Sequence, residues 1–228
     1  MDMADGDRYF EQSDFLKSIE VYETLLKENQ DNYEILWRLS RSYSKQGNIM
    51  KKKKEIKEYY KRSYEYAERA VKSNENGVDG VIYLAESAGK LSKVENAEEK
   101  VRLSKVIKDS AEKAIKLDSN NFKPYFILGV WHLNVSTAGW LEKQFAEAFL
   151  GGLQDSSLEE AEKNLKKSIE LDPDFIESYY QLALLYKETD NEELAIENLE
   201  KALRCTVDTA KKEEIKEKSE KLLKKLKR

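Results

Sequence analysis

The stretch YYQLALLY, residues 179–186, decides the fold. Its anchor at Tyr179 is followed by a leucine three residues on, a small residue four on and an aromatic residue seven on, so all four share one face of a helix. A second apolar stripe begins nine residues after Tyr186, and its members are Ala195, Leu199, Ala202 and Leu203. Paired helices whose small residues allow close backbone approach are typical of a tetratricopeptide repeat. The stretch therefore predicts one such helix pair.

The same frame recurs towards the N-terminus, with anchors at Tyr125, Val81 and Leu36 and a weaker copy at Gly6 and Tyr9. It predicts an all-α fold, an α-solenoid of about five tetratricopeptide-like helix pairs in a single domain. The predicted repeats are residues 1–31, 32–76, 77–120, 121–173 and 174–208. A C-terminal capping helix is expected at residues 209–228, because its apolar residues form one stripe.

The middle repeats are longer than the others. In the fifth repeat, 16 positions separate the last residue of the first stripe, Tyr186, from the small residue of the second helix, Ala202. The corresponding separations are 27, 26 and 36 positions in the second, third and fourth repeats. The insertions at 50–60 and 92–104 are charged and helix-compatible, so they predict lengthened helix pairs. The insertion at 136–156 contains an amphipathic segment, 140–150, that ends at Gly151 and Gly152.

The composition argues against enzyme chemistry. The 228 residues include one cysteine and one histidine, too few for a disulfide framework, a cysteine zinc site or most Ser-His and Cys-His arrangements. His132 takes the aromatic position of its repeat and is interpreted as a core residue. Cys205 has no companion cysteine or histidine nearby. We expect no catalytic residue, no metal and no cofactor.

The charges are numerous but nearly balanced, with 40 Lys+Arg against 44 Asp+Glu. Basic runs are interleaved with glutamate, so no nucleic-acid partner is expected, although residues 211–228 carry a local excess of positive charge. No signal peptide or membrane-length apolar segment is found, which favours a cytoplasmic protein. Loss of an N-terminal anchor or signal stays an open alternative.

In each first helix, the residues one, five and eight positions after the anchor form a second stripe beside the one that packs on the partner helix. This second stripe is expected to line the concave surface of the solenoid. It predicts a ligand groove that is apolar in the last two repeats and carries two arginines able to contact an anionic head group or terminus. The predicted groove residues are Trp37, Arg38, Arg41, Ile82, Phe126, Val130, Leu133, Tyr180 and Leu184. Either an outside ligand fills this groove, or the chain covers it with Trp140, Leu141, Phe145 and Phe149.

Three segments resemble one known family: LWRLSRSYS at 36–44, AEKAIKL at 111–117, and LGVW at 128–131 leading to WLEK at 140–143. Residues 32–203 resemble the regulator of microtubule dynamics proteins, a tetratricopeptide-like group that includes a mitochondrial outer-membrane tethering protein. The resemblance implies a non-enzymatic binding module associated with microtubules and, in the tethered member, with phospholipid binding and transfer. That member's anchor and its short acidic-aromatic docking motif are not found in this sequence, so tethering is not part of the expectation.

Together these observations predict a non-enzymatic binding or scaffold module. Its groove would bind a protein helix, a peptide or phospholipid acyl chains. The alternative is a microtubule-associated regulator or scaffold that acts through its charged outer surfaces.

Overall fold

The computed structural model describes residues 1–138 and 156–227, and these residues form eleven α-helices and no strands. The helices of the N-terminal part are α1 Met3–Glu11, α2 Phe15–Glu28, α3 Tyr33–Ile49, α4 Lys53–Ser73, α5 Val78–Ser92 and α6 Ala97–Leu117. The others are α7 Phe122–Ser136, α8 Leu158–Leu171, α9 Ile176–Glu188, α10 Glu192–Ala202 and α11 Ala210–Leu226. The predicted cover residues Trp140, Leu141, Phe145 and Phe149 lie outside the described residues.

Side-chain caps explain where most helices begin. At eight helix starts the preceding residue accepts a hydrogen bond from a backbone N–H in the first turn, which would otherwise lack a partner. These residues are Asp2, Asp14, Asn32, Asn96, Asn121, Ser157, Asn191 and Thr209. The caps account for helix boundaries that periodicity alone places only approximately.

The helices belong to two compact units. Unit 1 holds α1 to α6, and unit 2 holds α7 to α11. Within unit 1, α1 packs on α2, α3 on α4 and α5 on α6; within unit 2, α7 packs on α8 and α9 on α10, and α11 contacts both α9 and α10. Each predicted repeat thus contains one helix pair. That the five repeats form a single domain stays a prediction.

Small residues lie where paired helices meet, as the repeat frame predicts. Ala67 and Ala70 of α4 and Ala111 and Ala114 of α6 are completely buried. Gly129 of α7 approaches α8 so closely that an added Cβ would lie 2.8 Å from the Cγ of Leu165. Contacts this short require a residue without a side chain. The frame therefore identified the helix contacts correctly.

The first two insertions lengthen their helix pairs, which confirms that prediction. Both α4 and α6 have 21 residues, against 11 in α10. The added turns have an apolar core of their own, built around Tyr60, Tyr64, Leu91 and Leu103. Burial of such side chains is what holds helices of this length together.

Pairs of serine hydroxyls are buried at three helix contacts. The Oγ atoms of Ser18 and Ser42 are 2.9 Å apart between α2 and α3, and those of Ser168 and Ser178 are 2.9 Å apart between α8 and α9. Between α3 and α4, Ser63 donates to the carbonyl oxygen of Ser40 at 2.8 Å. Because all of these side chains are fully buried, each hydroxyl relies on its protein partner for a hydrogen bond.

Candidate functional site

Charged and aromatic side chains from α1, α3 and α5 meet in unit 1. We call this group the arginine–aromatic cluster, and its members are Asp7, Phe10, Trp37, Arg38, Arg41 and Tyr83. Residues 37 and 38 lie on the same side of α3 as residue 41, because they precede it by four and three positions. The sequence predicted these three residues as part of a groove, and the structure brings them together.

The Trp37 ring is enclosed within this cluster. It lies parallel to the Tyr83 ring, with centroids 5.5 Å apart and an interplanar angle of 2°, and the Arg38 guanidinium carbon is 4.1 Å from its centroid. Its indole N–H donates to Glu34 Oε2 at 3.0 Å. Only 8% of the residue is exposed. Trp37 therefore offers little free ring surface to a ligand.

Asp7 is the centre of the polar contacts. Its carboxylate accepts hydrogen bonds from the Tyr22 hydroxyl at 2.7 Å, from Arg38 Nε at 3.2 Å and from Arg41 Nη2 at 2.8 Å. Burial alone would raise the pKa of Asp7, but the Tyr22 hydroxyl and the two guanidinium groups outweigh it and lower the pKa. Burial and the hydrogen bond to Asp7 raise the pKa of Tyr22. Asp7 is consequently ionised at neutral pH.

Both predicted anion-contacting arginines already have carboxylate partners. The Arg38 side chain is 16% exposed and also binds Glu34 Oε2 at 2.6 Å, and the Arg41 side chain is 19% exposed. Ile82, predicted to line the same groove, is 1% exposed and lies in the interior. The predicted role of these residues as ligand contacts stays a prediction, and any anion that binds here competes with Asp7 or Glu34.

The remaining predicted groove residues are in unit 2. Phe126 and Val130 of α7 and Leu184 of α9 are half-buried and pack on a core that includes Leu133. Tyr180 of α9 is also half-buried. The structure thus leaves part of this predicted stripe accessible, whereas Leu133 lies in the core beneath it.

Two aromatic residues that the sequence reasoning missed extend this surface. The Phe175 ring lies 4.8 Å from the Phe122 ring and 5.0 Å from the Phe126 ring, centroid to centroid. Phe175 precedes α9, so it lies off the helical period used for the prediction. Its position directly after the turn at residues 172–174 was the available signal. We call Phe122, Phe126, Val130, Phe175 and Leu184 the apolar patch.

The last helix, α11, has a basic outer surface. Three lysines in or directly after this helix bind carboxylates of unit 2: Lys211 binds Glu177 at 2.6 Å, Lys212 binds Asp174 at 3.7 Å, and Lys227 binds Glu200 at 2.7 Å. Lys216, Lys224 and Lys225 have no carboxylate partner among the described residues. The apolar residues Ile215, Leu222, Leu223 and Leu226 of the same helix are half-buried.

The residues with the most reactive side chains occupy structural positions. His132 is buried, its Nδ1 accepts from the backbone N–H of Ser157 at 3.4 Å, and its ring meets that of Trp131 edge-on. Burial raises the pKa of the Cys205 thiol, which favours the unreactive protonated form. In residues 1–138 and 156–227, no group of three or more His, Cys, Asp or Glu residues is placed to hold a metal ion. None of the described helices is both long and apolar enough to span a membrane.

Solved structures with the same architecture are tetratricopeptide-repeat proteins. A thermophilic protein of this class from Thermus thermophilus superposes with a TM-score of 0.67 at 19% identity and covers 94% of both chains. MamA superposes with a TM-score of 0.56 at 20% identity, covering 96% of this chain and 98% of its own. YrrB, described as having an unusual peptide-binding site, gives 0.52 at 17% identity, covering 93% and 88%. The fold prediction, an all-α tetratricopeptide-like α-solenoid, is confirmed.

Sequence relatives agree with the family resemblance. Regulator of microtubule dynamics protein 3 of Xenopus laevis is 32% identical over 162 residues, which are 71% of this chain and 35% of that protein. Regulator of microtubule dynamics protein 1 of Mus musculus is 26% identical over 225 residues, 97% of this chain and 72% of that protein. The chain spans about a third of the length of the protein 3 relatives.

A family model described as regulator of microtubule dynamics protein 1-3 matches residues 2–227, nearly the whole chain. The match runs through both units and through the arginine–aromatic cluster as well as the apolar patch. The chain belongs to the regulator of microtubule dynamics family.

Proposed function

We propose that this chain is a non-enzymatic, cytoplasmic binding module that docks an amphipathic helix of a partner protein on the apolar patch of unit 2. One observation carries the proposal: aromatic and aliphatic side chains of α7, of α9 and of the residue before α9 pack together on the core of unit 2 and remain only partly buried. Adjacent exposed apolar side chains usually mark an interaction site.

The sequence of α7 explains why this surface exists. FKPYFILGVWHLNVS is apolar around most of its circumference, and among the described helices it packs mainly on α8 and to a smaller extent on α9. A helix of this kind is normally buried on all sides. The side that carries Phe126 and Val130 therefore has more apolar area than pairing within the repeat uses.

A helix suits the patch better than a phospholipid. Phospholipid binding needs a contact for the anionic head group in addition to acyl-chain surface, and none of the five residues of the apolar patch is cationic. An amphipathic helix needs only the apolar surface, since its polar face stays in water. Phospholipid is the alternative occupant that the experiment must distinguish.

The test measures binding of a panel of fluorescently labelled amphipathic helical peptides by anisotropy. Replacing Phe126 or Leu184 with alanine is expected to weaken binding by about tenfold or more, because buried aromatic and aliphatic anchors dominate such interfaces. Lys163→Ala, an exposed change on α8 of the same unit, is the matched control and is expected to have no effect.

Two results would contradict the proposal. If no peptide of the panel binds the wild-type protein, or if the Phe126 and Leu184 variants bind as tightly as wild type, the patch is not a helix site. Mass spectrometry of organic extracts of the purified protein tests the lipid alternative. Phospholipid that co-purifies with the wild-type protein but not with Phe126→Ala would assign the patch to acyl chains.

A second candidate function is association with microtubules through α11. The names of the relatives refer to microtubule dynamics, and residues 211–228 carry nine basic against four acidic residues in a chain of net charge −4. The lysines Lys216, Lys224 and Lys225 lack ion-pair partners among the described residues, which supports contact with an acidic surface.

Co-sedimentation with microtubules tests this second function. The double change Lys224→Glu and Lys225→Glu is expected to abolish most of the binding, and added salt is expected to weaken binding of the wild-type protein because exposed charges are screened. Lys163→Glu with Lys167→Glu on α8 is the control with the same change in net charge. Equal co-sedimentation of both double variants would exclude α11 as the contact.

A further inference from the structure

The outermost helix of unit 1 reaches α3 through one carboxylate. Gly6 is the single buried residue of α1. The ion pairs between α1 and α3 in the described residues both end on Asp7, which binds Arg38 and Arg41. Phe10 adds a ring contact, 3.7 Å from its centroid to the Arg41 guanidinium carbon. Asp7 thus joins α1, which packs on α2, to two arginines of α3.

The Arg41 guanidinium is only partly used by this contact. Its Nη2 donates to Asp7 Oδ1 at 2.8 Å, while its Nε is buried and has no hydrogen-bond partner among the described residues. Nε and Nη2 form one edge of the guanidinium, which matches the two oxygens of a carboxylate. An unpaired buried donor costs free energy that a better-placed carboxylate would recover.

We propose that Arg38, Arg41 and the Tyr22 hydroxyl form a carboxylate-binding site that Asp7 occupies from within the chain, and that a carboxylate of a partner polypeptide takes the place of Asp7 when α1 moves aside. The site lies in unit 1 and does not depend on the apolar patch of unit 2. Asp7 then acts as an internal competitor that keeps the site closed in the absence of a partner.

The surroundings favour a carboxylate over a more highly charged anion. Glu34 binds Arg38 Nη1 at 2.6 Å, so one negative charge is already beside the site. A dianion such as phosphate would be repelled by Glu34 more strongly than a monoanion. The depressed pKa of Asp7 agrees with a site that stabilises a single ionised carboxylate.

The competition sets the size of the expected effect. A carboxylate attached to the same molecule competes at an effective concentration on the order of millimolar or above, so free ligands bind the wild-type protein weakly. Removal of Asp7 ends this competition. Asp7→Ala is therefore expected to bind external carboxylates at least about tenfold more tightly than the wild-type protein.

The experiment titrates the ¹⁵N-labelled full chain and follows the Trp37 indole N–H resonance, which lies within the cluster. The probes are acetate, a short peptide with a free C-terminal carboxylate, and the same peptide with an amidated C-terminus. Glu11→Ala, an exposed change on the same helix, is the control and is expected to behave as wild type. If Asp7→Ala does not fold, Asp7→Asn replaces it under the same criteria.

Saturable shifts with acetate in Asp7→Ala that are lost in Asp7→Ala/Arg41→Met support the proposal. A free-acid peptide that binds while its amide does not assigns the ligand to a chain terminus. The proposal is overturned if neither acetate nor peptide shifts the Trp37 resonance in Asp7→Ala, or if the double variant binds as well as the single one. Neither outcome bears on the peptide binding expected at the apolar patch.

Discussion

Replacing single glycines with alanine tests the close approach of α7 to α8. In most helices Gly→Ala stabilises by about 1 kcal/mol, because alanine loses less backbone entropy on folding. At Gly129, however, the new Cβ would lie 2.8 Å from Leu165 Cγ and 3.1 Å from the Leu165 backbone nitrogen. Leu165 is fully buried, so it has little room to move. Overpacking costs about 1–3 kcal/mol, and at a site this rigid we expect the upper part of that range, about 2–3 kcal/mol. Subtracting the gain from alanine leaves a net destabilisation of about 1–2 kcal/mol.

Gly89 supplies the matched control. It also lies within a helix, α5, but its added Cβ would meet only Ile107 Cδ1, at 3.9 Å, an ordinary contact. Gly89→Ala is therefore expected to stabilise the protein by about 0.5–1 kcal/mol. Urea unfolding of both variants gives the two free-energy changes directly. The reasoning is refuted if Gly129→Ala is as stable as wild type, or if the two changes have the same sign.

Three further predictions rest on named contacts. Because the pKa of Asp7 is lowered in the folded state, its contribution to stability is present above its unfolded pKa and is lost as the pH falls through its folded pKa. The difference in unfolding free energy between wild type and Asp7→Asn should therefore shrink on acidification. A difference that stays constant in urea titrations from about pH 7 to about pH 2.5 would contradict this. Ser42→Ala should lower the unfolding free energy by about 1–2 kcal/mol, because it leaves the Ser18 hydroxyl without its partner. The double variant Ser18→Ala/Ser42→Ala should lose less stability than the sum of the two single variants, which a double-mutant cycle of unfolding free energies would show. Thr209→Ala removes the cap that accepts from Lys212 N at 3.2 Å and should speed hydrogen exchange in the first turn of α11 about fivefold, while exchange in α10 stays unchanged.

The helix pairs were predictable because their packing is local and periodic. Small residues such as Ala85 and Ala183 recur four positions after each anchor, and a period of 3.6 residues places them at the contact with the partner helix. The lengths of α4 and α6 were predictable from the insertions for the same reason. Local periodicity thus determined most of the fold within each repeat.

The partners of the site residues were not predictable in this way. Periodicity placed Trp37, Arg38 and Arg41 on one side of α3, but Asp7 lies 31 residues before Arg38 and belongs to the weakest copy of the repeat. Whether a guanidinium is free or neutralised depends on which helix packs across it. Phe175 was missed for another reason, since a residue that precedes a helix has no defined place in the helical period.

The buried serine pairs bear on how the repeats recognise one another during folding. Similar helices in one chain can pair in the wrong order, and apolar stripes alone distinguish them poorly. In one such mispairing, the side of α4 that contacts α3 would contact the equivalent side of α5 instead. Ser63 would then face Ala85 or Ala88, and its hydroxyl would lose the Ser40 carbonyl oxygen as acceptor, at a cost of about 1–3 kcal/mol. The hydroxyl pairs at α2–α3, α3–α4 and α8–α9 therefore penalise pairing with a helix that offers no hydroxyl at the same place.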